Sequence, residues 1–279
     1  MRINYRTHDL EKYINWMYFF YAWSLPSNST EAARLKEDAL KQLRRLQPYI
    51  TVKAAVEILP AYSEGDDIVV NKTYHCECGQ DHTIGEPIRI PMLRQQTPGK
   101  DGTCLCLSDF IRPKGKLHKD KIGVFATSVH VDDRQQLPND DYNRMLFQTL
   151  FDRLAEAGAE KLHQDTRTTY WGYAPQEHLT INELHQEKFQ GIRPAIGYPC
   201  LPDISINRII DSIVDFASIG VALTSSAMMQ PHASVSGFMI SLPQAHYFSI
   251  GKIDETQARD YARRRNMTVE EIKKYIQCC

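Results

Sequence analysis

Apolar residues recur at helical spacing along several stretches of the chain and at strand-like spacing along others. The helical period is clearest at Glu31–Leu46 and from Asp140 to about residue 168, where one side of each segment is apolar. Spacing, capping residues and turn residues together predict helices at 8–24, 31–46, 51–59, 140–168, 181–189, 203–219, 254–265 and from 268 onward. They predict strands at 67–70, 74–78, 83–84, 88–94, 103–110, 122–131, 221–224, 235–240 and 247–250.

The strands come in hairpin-like runs and the helices in blocks, without a regular alternation of strand and helix. This order favours an α+β fold, in which a twisted antiparallel β-sheet is flanked by helices. Because no long linker divides the chain, we expect one domain over residues 1–279. Within it, an N-terminal helical segment of about 1–60 would pack on an α+β body of 61–279. Pro91 cannot donate a ladder hydrogen bond, so its strand is predicted to lie at an edge.

The segment 191–199, with the sequence Gly-Ile-Arg-Pro-Ala-Ile-Gly-Tyr-Pro, concentrates residues that prevent regular structure. Its two prolines fix the backbone and lack donors, and its two glycines allow close approach of a ligand. We expect a rigid loop whose amides and carbonyls are free to face a partner. Arg193 offers a fork of donors that suits a carboxylate or a phosphate, and Tyr198 offers a ring and a hydroxyl. The alternative is an ordinary connecting loop with a surface arginine.

Two further polar residues occupy apolar surroundings. Asn15 is the polar residue inside the aromatic part of the predicted helix 8–24, and a buried amide needs hydrogen-bond partners. It either bonds the neighbouring backbone or contacts a ligand. Glu156 lies near the apolar side of the predicted helix 140–168, so it is either at the edge of the core or directed into a cleft.

The composition is that of an ordinary globular protein, with 42% hydrophobic and 24% charged residues. A formal net charge of −1 provides no overall attraction for nucleic acid or for an acidic membrane. The start of the chain has no apolar signal segment, and seven cysteines, an odd number, argue against a disulfide framework. We therefore expect a cytoplasmic protein that has neither nucleic acid nor a membrane as a partner.

Common catalytic and cofactor motifs are missing. The sequence has no Gly-x-Gly-x-x-Gly after a strand, no Gly-x-x-x-x-Gly-Lys-Ser/Thr loop and no nucleophile elbow. A dinucleotide site, a phosphate-binding loop and an acyl-transfer centre are therefore not expected. The residues by themselves indicate a ligand-binding protein.

A zinc site is the weaker of two interpretations of the predicted hairpin around residue 80. His75, Cys76, Cys78 and His82 are residue types that bind zinc. However, a Cys-x-Cys spacing is not the common zinc knuckle, and alternate residues of a strand share a face in any case. Plain strand cysteines are the favoured interpretation, with a metal at Cys76, Cys78 and His82 as the alternative.

The chain resembles the C-terminal activation domain of cobalamin-dependent methionine synthase. That family carries an Arg-x-x-x-Gly-Tyr signature for S-adenosylmethionine, which is matched by Arg193-Pro-Ala-Ile-Gly-Tyr198. Other stretches similar to the family follow in the family's order from residue 14 to near the end. They are Ile14–Phe20, Leu93–Gln96, Asp140–Asn143, Arg153–Glu156, Tyr170–Pro175, Ala233–Gly237 and Asp260–Arg263.

The resemblance implies the fold of that activation domain and a role in reductive reactivation. In the family, the domain binds S-adenosylmethionine and helps to restore an enzyme whose cobalamin has oxidised to the inactive cob(II)alamin state. A reduced flavodoxin or a similar reductase supplies one electron. The Asp-x-His-x-x-Gly cobalamin signature is absent here, so a partner methionine synthase core would present the cobalamin in trans to a separate activation subunit.

Such a subunit is not expected to catalyse methyl transfer alone. Two alternatives remain beside this interpretation. The chain is an activator of another corrinoid methyltransferase, or it is a degenerate interaction module that has lost ligand binding.

The resemblance also implies a set of site residues. Arg193 would bind the ligand carboxylate, and the rings of Tyr247 and Phe248 would cover the adenine or the sulfonium. Glu156 and Glu187 would bond the ribose or balance the sulfonium. The residues implied in S-adenosylmethionine binding are Asn15, Glu156, Glu187, Arg193, Ala195, Gly197, Tyr198, Tyr247 and Phe248. The loop implied to face the cobalamin contains Pro231, His232, Ala233 and Ser234.

Two departures from the family pattern concern this site. Asn15 replaces an aspartate that contacts the ligand ammonium in the family, which removes one charge-assisted hydrogen bond. That loss corresponds to about 1–2 kcal/mol, or roughly ten-fold in affinity. In the second departure, Gln230 and His232 replace Trp and Gly in the loop implied to face the cobalamin.

Overall fold

A computed structural model describes residues 1–75, 81–83, 85–99, 102–115, 120–138 and 140–276. The strands are β1 (Arg2–Arg6), β2 (Ile50–Glu64), β3 (Asp67–Val70), β4 (Thr73–His75), β5 (Asp81–Thr83), β6 (Ile88–Pro91), β7 (Asp120–Val131), β8 (Ala222–Leu223), β9 (Met229–Gln230) and β10 (Ser234–Met239). The α-helices are α1 (Thr7–Leu10), α2 (Trp16–Ala22), α3 (Thr30–Leu46), α4 (Asp141–Asp165), α5 (Ile181–His185), α6 (Asn207–Val214), α7 (Glu255–Arg265) and α8 (Val269–Tyr275). A π-helical turn, Thr166–Tyr170, continues α4.

The main sheet is antiparallel and is built around the long pair β2 and β7. Its strand order is β10-β7-β2-β3-β6, and β1 pairs with the first part of β2. The register joins Ile50–Ala61 of β2 to Asp120–Val131 of β7. The predicted α+β architecture with an antiparallel sheet is therefore confirmed. Pro91 ends β6 at the edge of this sheet, as its missing donor requires.

Both faces of the sheet are covered, which divides the core into two layers. Val52, Ala54 and Val56 of β2 face a cluster that includes α1–α4. The alternate residues Ala55, Leu59 and Ala61 face a second cluster that includes α6. Gly158 lets α4 approach β2 closely, because a Cβ at this position would lie 2.8 Å from Cγ1 of Val52. The longest helix is thereby held directly against the central strand.

The predicted helix 51–59 is wrong, because these residues belong to β2. Since both faces of this strand are buried, apolar residues occupy consecutive positions and hide the two-residue period. The suggested boundary at about residue 60 lies within the same strand.

Two predicted strands are also wrong, since Leu107–Phe110 form a 3₁₀ turn and residues 247–250 have no regular structure. The predicted hairpin is present as the antiparallel pair β4–β5, while its residues 76–80 and 84 lie outside the described residues.

The predicted helix 8–24 is interrupted at Ile14–Asn15. Asn15 is the N-cap of α2, and its side-chain oxygen accepts a hydrogen bond from the N–H of Met17 at 3.1 Å. The amide therefore begins a new helix, and the bend turns the chain at a point that also lines a cavity. Within the described ranges, no helix is both long and apolar enough to span a bilayer.

Candidate functional site

The segment 191–199 runs beside β10 and is fixed to it by backbone hydrogen bonds. Ile192 exchanges two such bonds with Ile240, at 3.0 and 2.9 Å, and the N–H of Phe238 donates to the carbonyl of Pro194 at 3.0 Å. A Cβ on Gly237 would lie 2.2 Å from that carbonyl oxygen, so only glycine permits this approach. The sheet thus positions the segment as if it were an additional strand.

Several amides of this segment are already bonded within the protein. The N–H groups of Ile196, Gly197 and Tyr198 donate to the carbonyls of Ser236, Leu201 and Ala195 at 2.9, 2.9 and 3.0 Å. The prediction that the loop leaves its backbone free is therefore wrong for these three N–H groups. The proline and glycine residues shape a turn whose rigidity comes from internal hydrogen bonds.

Arg193 is buried, with 6% of its surface exposed, so the alternative of a surface arginine is wrong. Its Nη2 lies 3.4 Å from Oε2 of Glu160, and its Nη1 lies 3.6 Å from Oε2 of Glu156. Its backbone N–H donates to the hydroxyl of Tyr247 at 3.0 Å. Nη1 and Nε are buried and have no hydrogen-bond partner. A buried guanidinium with two unused donors is costly unless another acceptor binds there.

The charge of Arg193 is retained in spite of its burial. Burial alone lowers the pKa of the guanidinium, but the electrostatic influence of Tyr198, Glu160 and Glu156 outweighs that effect and raises the pKa. Arg193 is therefore a fixed positive charge at neutral pH, and its position is set by the segment 191–199 and by α4.

Arg193 lies in the wall of a cavity of about 440 Å³, here called the Arg193 cavity. Its lining residues are Tyr13, Asn15, Tyr18, Arg153, Glu156, Glu160, Leu184, His185, Glu187, Arg193, Tyr198 and Pro199. The structure thus brings together Asn15, Glu156, Glu187, Arg193 and Tyr198, which are distant in sequence. The side chain of Asn15 bonds the neighbouring backbone at the start of α2, and the residue also lines this cavity.

Sequence reasoning missed Glu160 and Arg153 as lining residues of this cavity. Glu160 follows Glu156 by four residues on α4, a spacing that places both side chains on one face of the helix. This four-residue spacing is the feature of the sequence from which the position of Glu160 beside Glu156 could have been predicted.

Glu187 and Tyr198, which line the Arg193 cavity, have raised pKa values. Burial, and then the neighbouring Glu160, raises the pKa of Glu187, while Arg193 opposes the shift. Burial, followed by the charge of Glu156, raises the pKa of Tyr198 to about 12. The cavity therefore disfavours additional negative charge on its carboxylate side.

A second cavity of about 510 Å³, here called the His232 cavity, adjoins the first. Arg153, Glu156 and Tyr198 line both cavities and so form a shared wall. The remaining lining residues of the His232 cavity are Asp152, Ala155, Ala195, Ile196, Gly197, Ile204, Asn207, Met228, Met229, His232, Ser234, Val235 and Ser236.

The loop 231–234 forms one side of the His232 cavity. His232 reaches across to α4, with its Nδ1 3.2 Å from Oδ1 of Asp152. The hydroxyl of Ser234 donates to the carbonyl of Pro231 at 2.7 Å. The carbonyl of Ala233 accepts from the N–H of Val129 at 2.9 Å, and neither Pro231 nor Ala233 lines the cavity. His232 and Ser234 are therefore the members of this loop that an occupant would meet.

Four of the residues expected to bind the ligand lie outside the wall of the Arg193 cavity, since Ala195 and Gly197 line the His232 cavity and Tyr247 and Phe248 take other positions. The ring centroid of Tyr247 lies 6.1 Å from that of Tyr198, and the Tyr247 hydroxyl accepts a hydrogen bond from the backbone N–H of Arg193. Phe248 packs against Phe110, with ring centroids 6.1 Å apart. Neither Tyr247 nor Phe248 is among the residues that line the two cavities.

The residues of the alternative metal site, Cys76, Cys78 and His82, are only partly described. Cys76 and Cys78 lie outside the described residues, and only the backbone of His82 is described, as part of β5. Among the side chains that the structure does describe, no group of three or more His, Cys, Asp or Glu residues forms a metal-binding cluster.

A buried cluster on α4 and the following π-helical turn supports the Arg193 cavity. The guanidinium of Arg167 donates to both carboxylate oxygens of Glu177, at 2.8 and 2.7 Å, and lies 4.2 Å from the ring centroid of Phe189. The ring of His163 packs edge-on against the same Phe189 at 4.9 Å. These contacts hold the chain that carries Glu187, whose backbone φ is +56°, against α4.

The arrangement can bind a ligand that carries both signs of charge. The unused donors of Arg193 suit a carboxylate, while Glu156, Glu160 and Glu187 suit an ammonium group, a sulfonium or hydroxyl groups. Tyr13, Tyr18 and Tyr198 offer aromatic faces in the same cavity. The geometry therefore fits an amino-acid derivative that bears additional positive charge.

Comparison with known proteins gives two matches. The family described as vitamin B12 dependent methionine synthase, activation domain, matches residues 6–266. Among solved structures, the chain is similar to the MetH reactivation domain bound to AdoHcy, with 36% sequence identity and a TM-score of 0.86. That match covers 99% of this chain and 88% of the other.

The buried His163 gives the fold a pH dependence that can be measured. Burial first, then the charges of Arg167 and Arg193, lowers the pKa of His163 well below the ordinary value near 6.5. Below pH 6.5 the unfolded chain therefore binds a proton that the folded protein does not. We expect the free energy of unfolding in urea to decrease by about 1 kcal/mol between pH 6.5 and 5.5 because of this residue.

The variant His163→Gln should lose that part of the decrease. His178→Gln, at an exposed position, is the matched control and should retain the decrease in full. An unchanged pH slope in His163→Gln would contradict the assignment.

Proposed function

The chain belongs to the activation-domain family of vitamin B12-dependent methionine synthase, and on that basis we propose that it binds S-adenosylmethionine in the Arg193 cavity. In this role it supports the reductive reactivation of a cobalamin-dependent methionine synthase, and it acts in trans on a partner core that presents the cobalamin.

The observation that carries the proposal is the unsatisfied guanidinium of Arg193. Nε and Nη1 are buried without a hydrogen-bond partner, and the carboxylate of S-adenosylmethionine supplies acceptors of the required charge and geometry. The same cavity holds Asn15, whose amide oxygen can accept a hydrogen bond from the ligand ammonium. Glu156 and Glu187 lie in the wall where they can accept hydrogen bonds from ribose hydroxyls.

The His232 cavity supports the second half of the proposal. It shares Arg153, Glu156 and Tyr198 with the Arg193 cavity, so its occupant would be a near neighbour of the bound ligand. A corrin presented there would supply the methyl acceptor, with S-adenosylmethionine as the methyl donor and a reduced flavodoxin or a similar reductase as the source of one electron. His232 and Ser234 would orient its periphery, Arg153 and Tyr198 would separate the two occupants, and burial of Arg193 would exclude water from the carboxylate end.

A specific observation favours a second candidate function. The resemblance implies that Asn15 replaces a family aspartate that contacts the ligand ammonium, and a neutral amide at this position would weaken that contact. The second candidate is an interaction module without ligand binding. An activator of another corrinoid methyltransferase, with the same ligand and a different partner core, is the further alternative that the experiments below separate.

We expect Arg193→Ala to abolish binding of S-adenosylmethionine in calorimetric titration, because Arg193 carries the buried donors that suit the ligand carboxylate. Arg193→Lys keeps the charge but loses the planar fork, so it should bind at least about 10-fold more weakly than the wild-type protein. Arg259→Ala, on the exposed side of α7, is the control and should bind as the wild type does. Absence of heat from the wild type at millimolar ligand would favour the interaction module.

We expect Asn15→Asp to bind S-adenosylmethionine about 10-fold more tightly, because it restores a charge-assisted hydrogen bond to the ammonium. Asparagine and aspartate are equally good N-caps, so the start of α2 should be preserved. The free energy of unfolding, measured in urea, serves as the control and should change by less than about 0.5 kcal/mol. Unchanged affinity with unchanged stability would place the ammonium away from residue 15.

The decisive experiment is reactivation of an inactive methionine synthase core. The core, this chain, a reductant and S-adenosylmethionine are mixed, and recovery of methionine synthesis is measured. We expect recovery with the wild-type chain and none with Arg193→Ala. Recovery with a different corrinoid methyltransferase, and not with methionine synthase, would support the alternative activator.

A further inference from the structure

The Arg193 cavity contains more carboxylates than one cation needs. Glu156, Glu160 and Glu187 line it together with Arg153 and Arg193. Three carboxylates against two guanidinium groups leave one net negative charge in the formal ionisation states at neutral pH. Arg193 is placed between two of these carboxylates, while the guanidinium of Arg153 lies 6.0 Å from the ring centroid of Tyr18, in the wall shared with the His232 cavity.

Building on the proposed function, we propose that Glu160, together with Glu156 and Glu187, makes this cavity selective for a ligand with a net positive charge. Glu160 is thereby a specificity-determining residue that distinguishes S-adenosylmethionine from its product S-adenosylhomocysteine. The two molecules differ by one methyl group and by the charge on sulfur. The sulfonium ligand carries one net positive charge, whereas the thioether product is a neutral zwitterion.

Glu160 is only partly satisfied by the protein. Its Oε2 lies 3.4 Å from Nη2 of Arg193, and its Oε1 is buried without a hydrogen-bond partner. The side chain is 14% exposed, so solvent does little to stabilise its charge. When the ligand carboxylate engages the unused donors of Arg193, it competes for the positive charge that Glu160 now faces. Glu160 then requires a cation from the ligand itself.

The raised pKa of Glu187 agrees with this shortage of cations. Burial and the charge of Glu160 both disfavour the ionised form of Glu187, and Arg193 only partly opposes them. A bound cation between Glu160 and Glu187 would reverse that balance. The ammonium of the ligand can satisfy one carboxylate, and the sulfonium is the group that remains for the others.

Methyl transfer changes the charge that these residues face. The carbon–sulfur bond to the methyl group breaks, sulfur keeps the electron pair of that bond, and the cationic sulfonium becomes a neutral thioether. The reduced corrin of the proposed partner would provide the electron pair for the new bond to the methyl carbon. The cavity then holds a ligand without net charge beside three carboxylates. The product is therefore bound more weakly than the substrate, and its release follows from the same residues that attracted the substrate.

The test is calorimetric titration of the full chain with three probes: S-adenosylmethionine, S-adenosylhomocysteine and sinefungin, in which a protonated amine stands near the position of the sulfonium. We expect the wild-type protein to bind S-adenosylmethionine about 10-fold or more tightly than S-adenosylhomocysteine. Sinefungin should follow the charged ligand. Glu160→Gln should reduce the ratio to about 3-fold or less, mainly by weakening the charged ligand.

Glu37→Gln, at an exposed position of α3, is the matched control and should keep the wild-type ratio. Glu187→Gln provides a second variant, because Glu160→Gln removes a partner of a buried arginine. It should also reduce the ratio, and thermal unfolding of both variants establishes that they are folded.

The outcomes separate the two proposals. Equal affinities of the wild type for S-adenosylmethionine and S-adenosylhomocysteine would overturn the charge selectivity and leave the proposed function standing. A wild-type ratio that Glu160→Gln and Glu187→Gln both retain would overturn the role of these carboxylates. Failure of the wild type to bind S-adenosylmethionine at all would overturn the proposed function and this inference together.

Discussion

The arrangement of the candidate site depends on the burial of a charged side chain, Arg193, whose guanidinium has little contact with water. A buried guanidinium is tolerated only beside counter-charges and acceptors, and two carboxylates on α4 provide the counter-charge. The requirement links elements that are far apart in sequence, because the arginine comes from the segment beside β10 and the carboxylates come from the longest helix. The segment is bonded to β10, and α4 packs against β7, β2 and β10 of the same sheet, so the sheet fixes the distance between the opposite charges.

Small residues at two places make this geometry accessible. Gly158 lets α4 lie close to β2, and Gly237 lets the segment 191–199 lie close to β10. Each contact fills space that a side chain would otherwise occupy, so each fixes a backbone position within a narrow range. The positions of the cavity walls therefore follow from backbone packing around the sheet. The polar side chains of the cavity extend from backbone segments that this packing holds in place.

Local patterns predicted what depended on local interactions. The amphipathic period of α3 and the β-branched residues of β7 were sufficient to predict these two elements. The patterns failed for β2, where alanine, lysine and glutamate, which favour helices, stand among consecutive apolar positions. They also failed for residues 247–250, which have no regular structure. Asn15 stands out in the sequence as a polar residue among aromatic ones. Its role as the N-cap of α2 could not be predicted, because the continuous aromatic run gives no sign that the helix is interrupted before it.

The candidate site was predictable as far as its residues carry a recognisable motif. Arg193, Gly197 and Tyr198 stand in a signature, whereas Glu160 carries none and is identified by its place one turn beyond Glu156. Burial of Arg193 and the internal hydrogen bonds of its loop depend on β10 and Tyr247, which no local pattern reveals. The position of Phe248 is likewise decided by its packing on Phe110, which is distant in sequence.

The wall shared by the two cavities has a thermodynamic consequence. Arg153, Glu156 and Tyr198 face a cavity on each side, so binding in one cavity and binding in the other would involve the same side chains. If a ligand in the first cavity changes the affinity of the second cavity for its ligand by some factor, then the second ligand changes the affinity of the first cavity by the same factor. Such heterotropic linkage requires no change in backbone conformation, since a rotamer preference of Tyr198 or Arg153 is enough to transmit it. A substitution in this wall would therefore alter both affinities and their coupling, whereas one at Asn15 would alter the first alone.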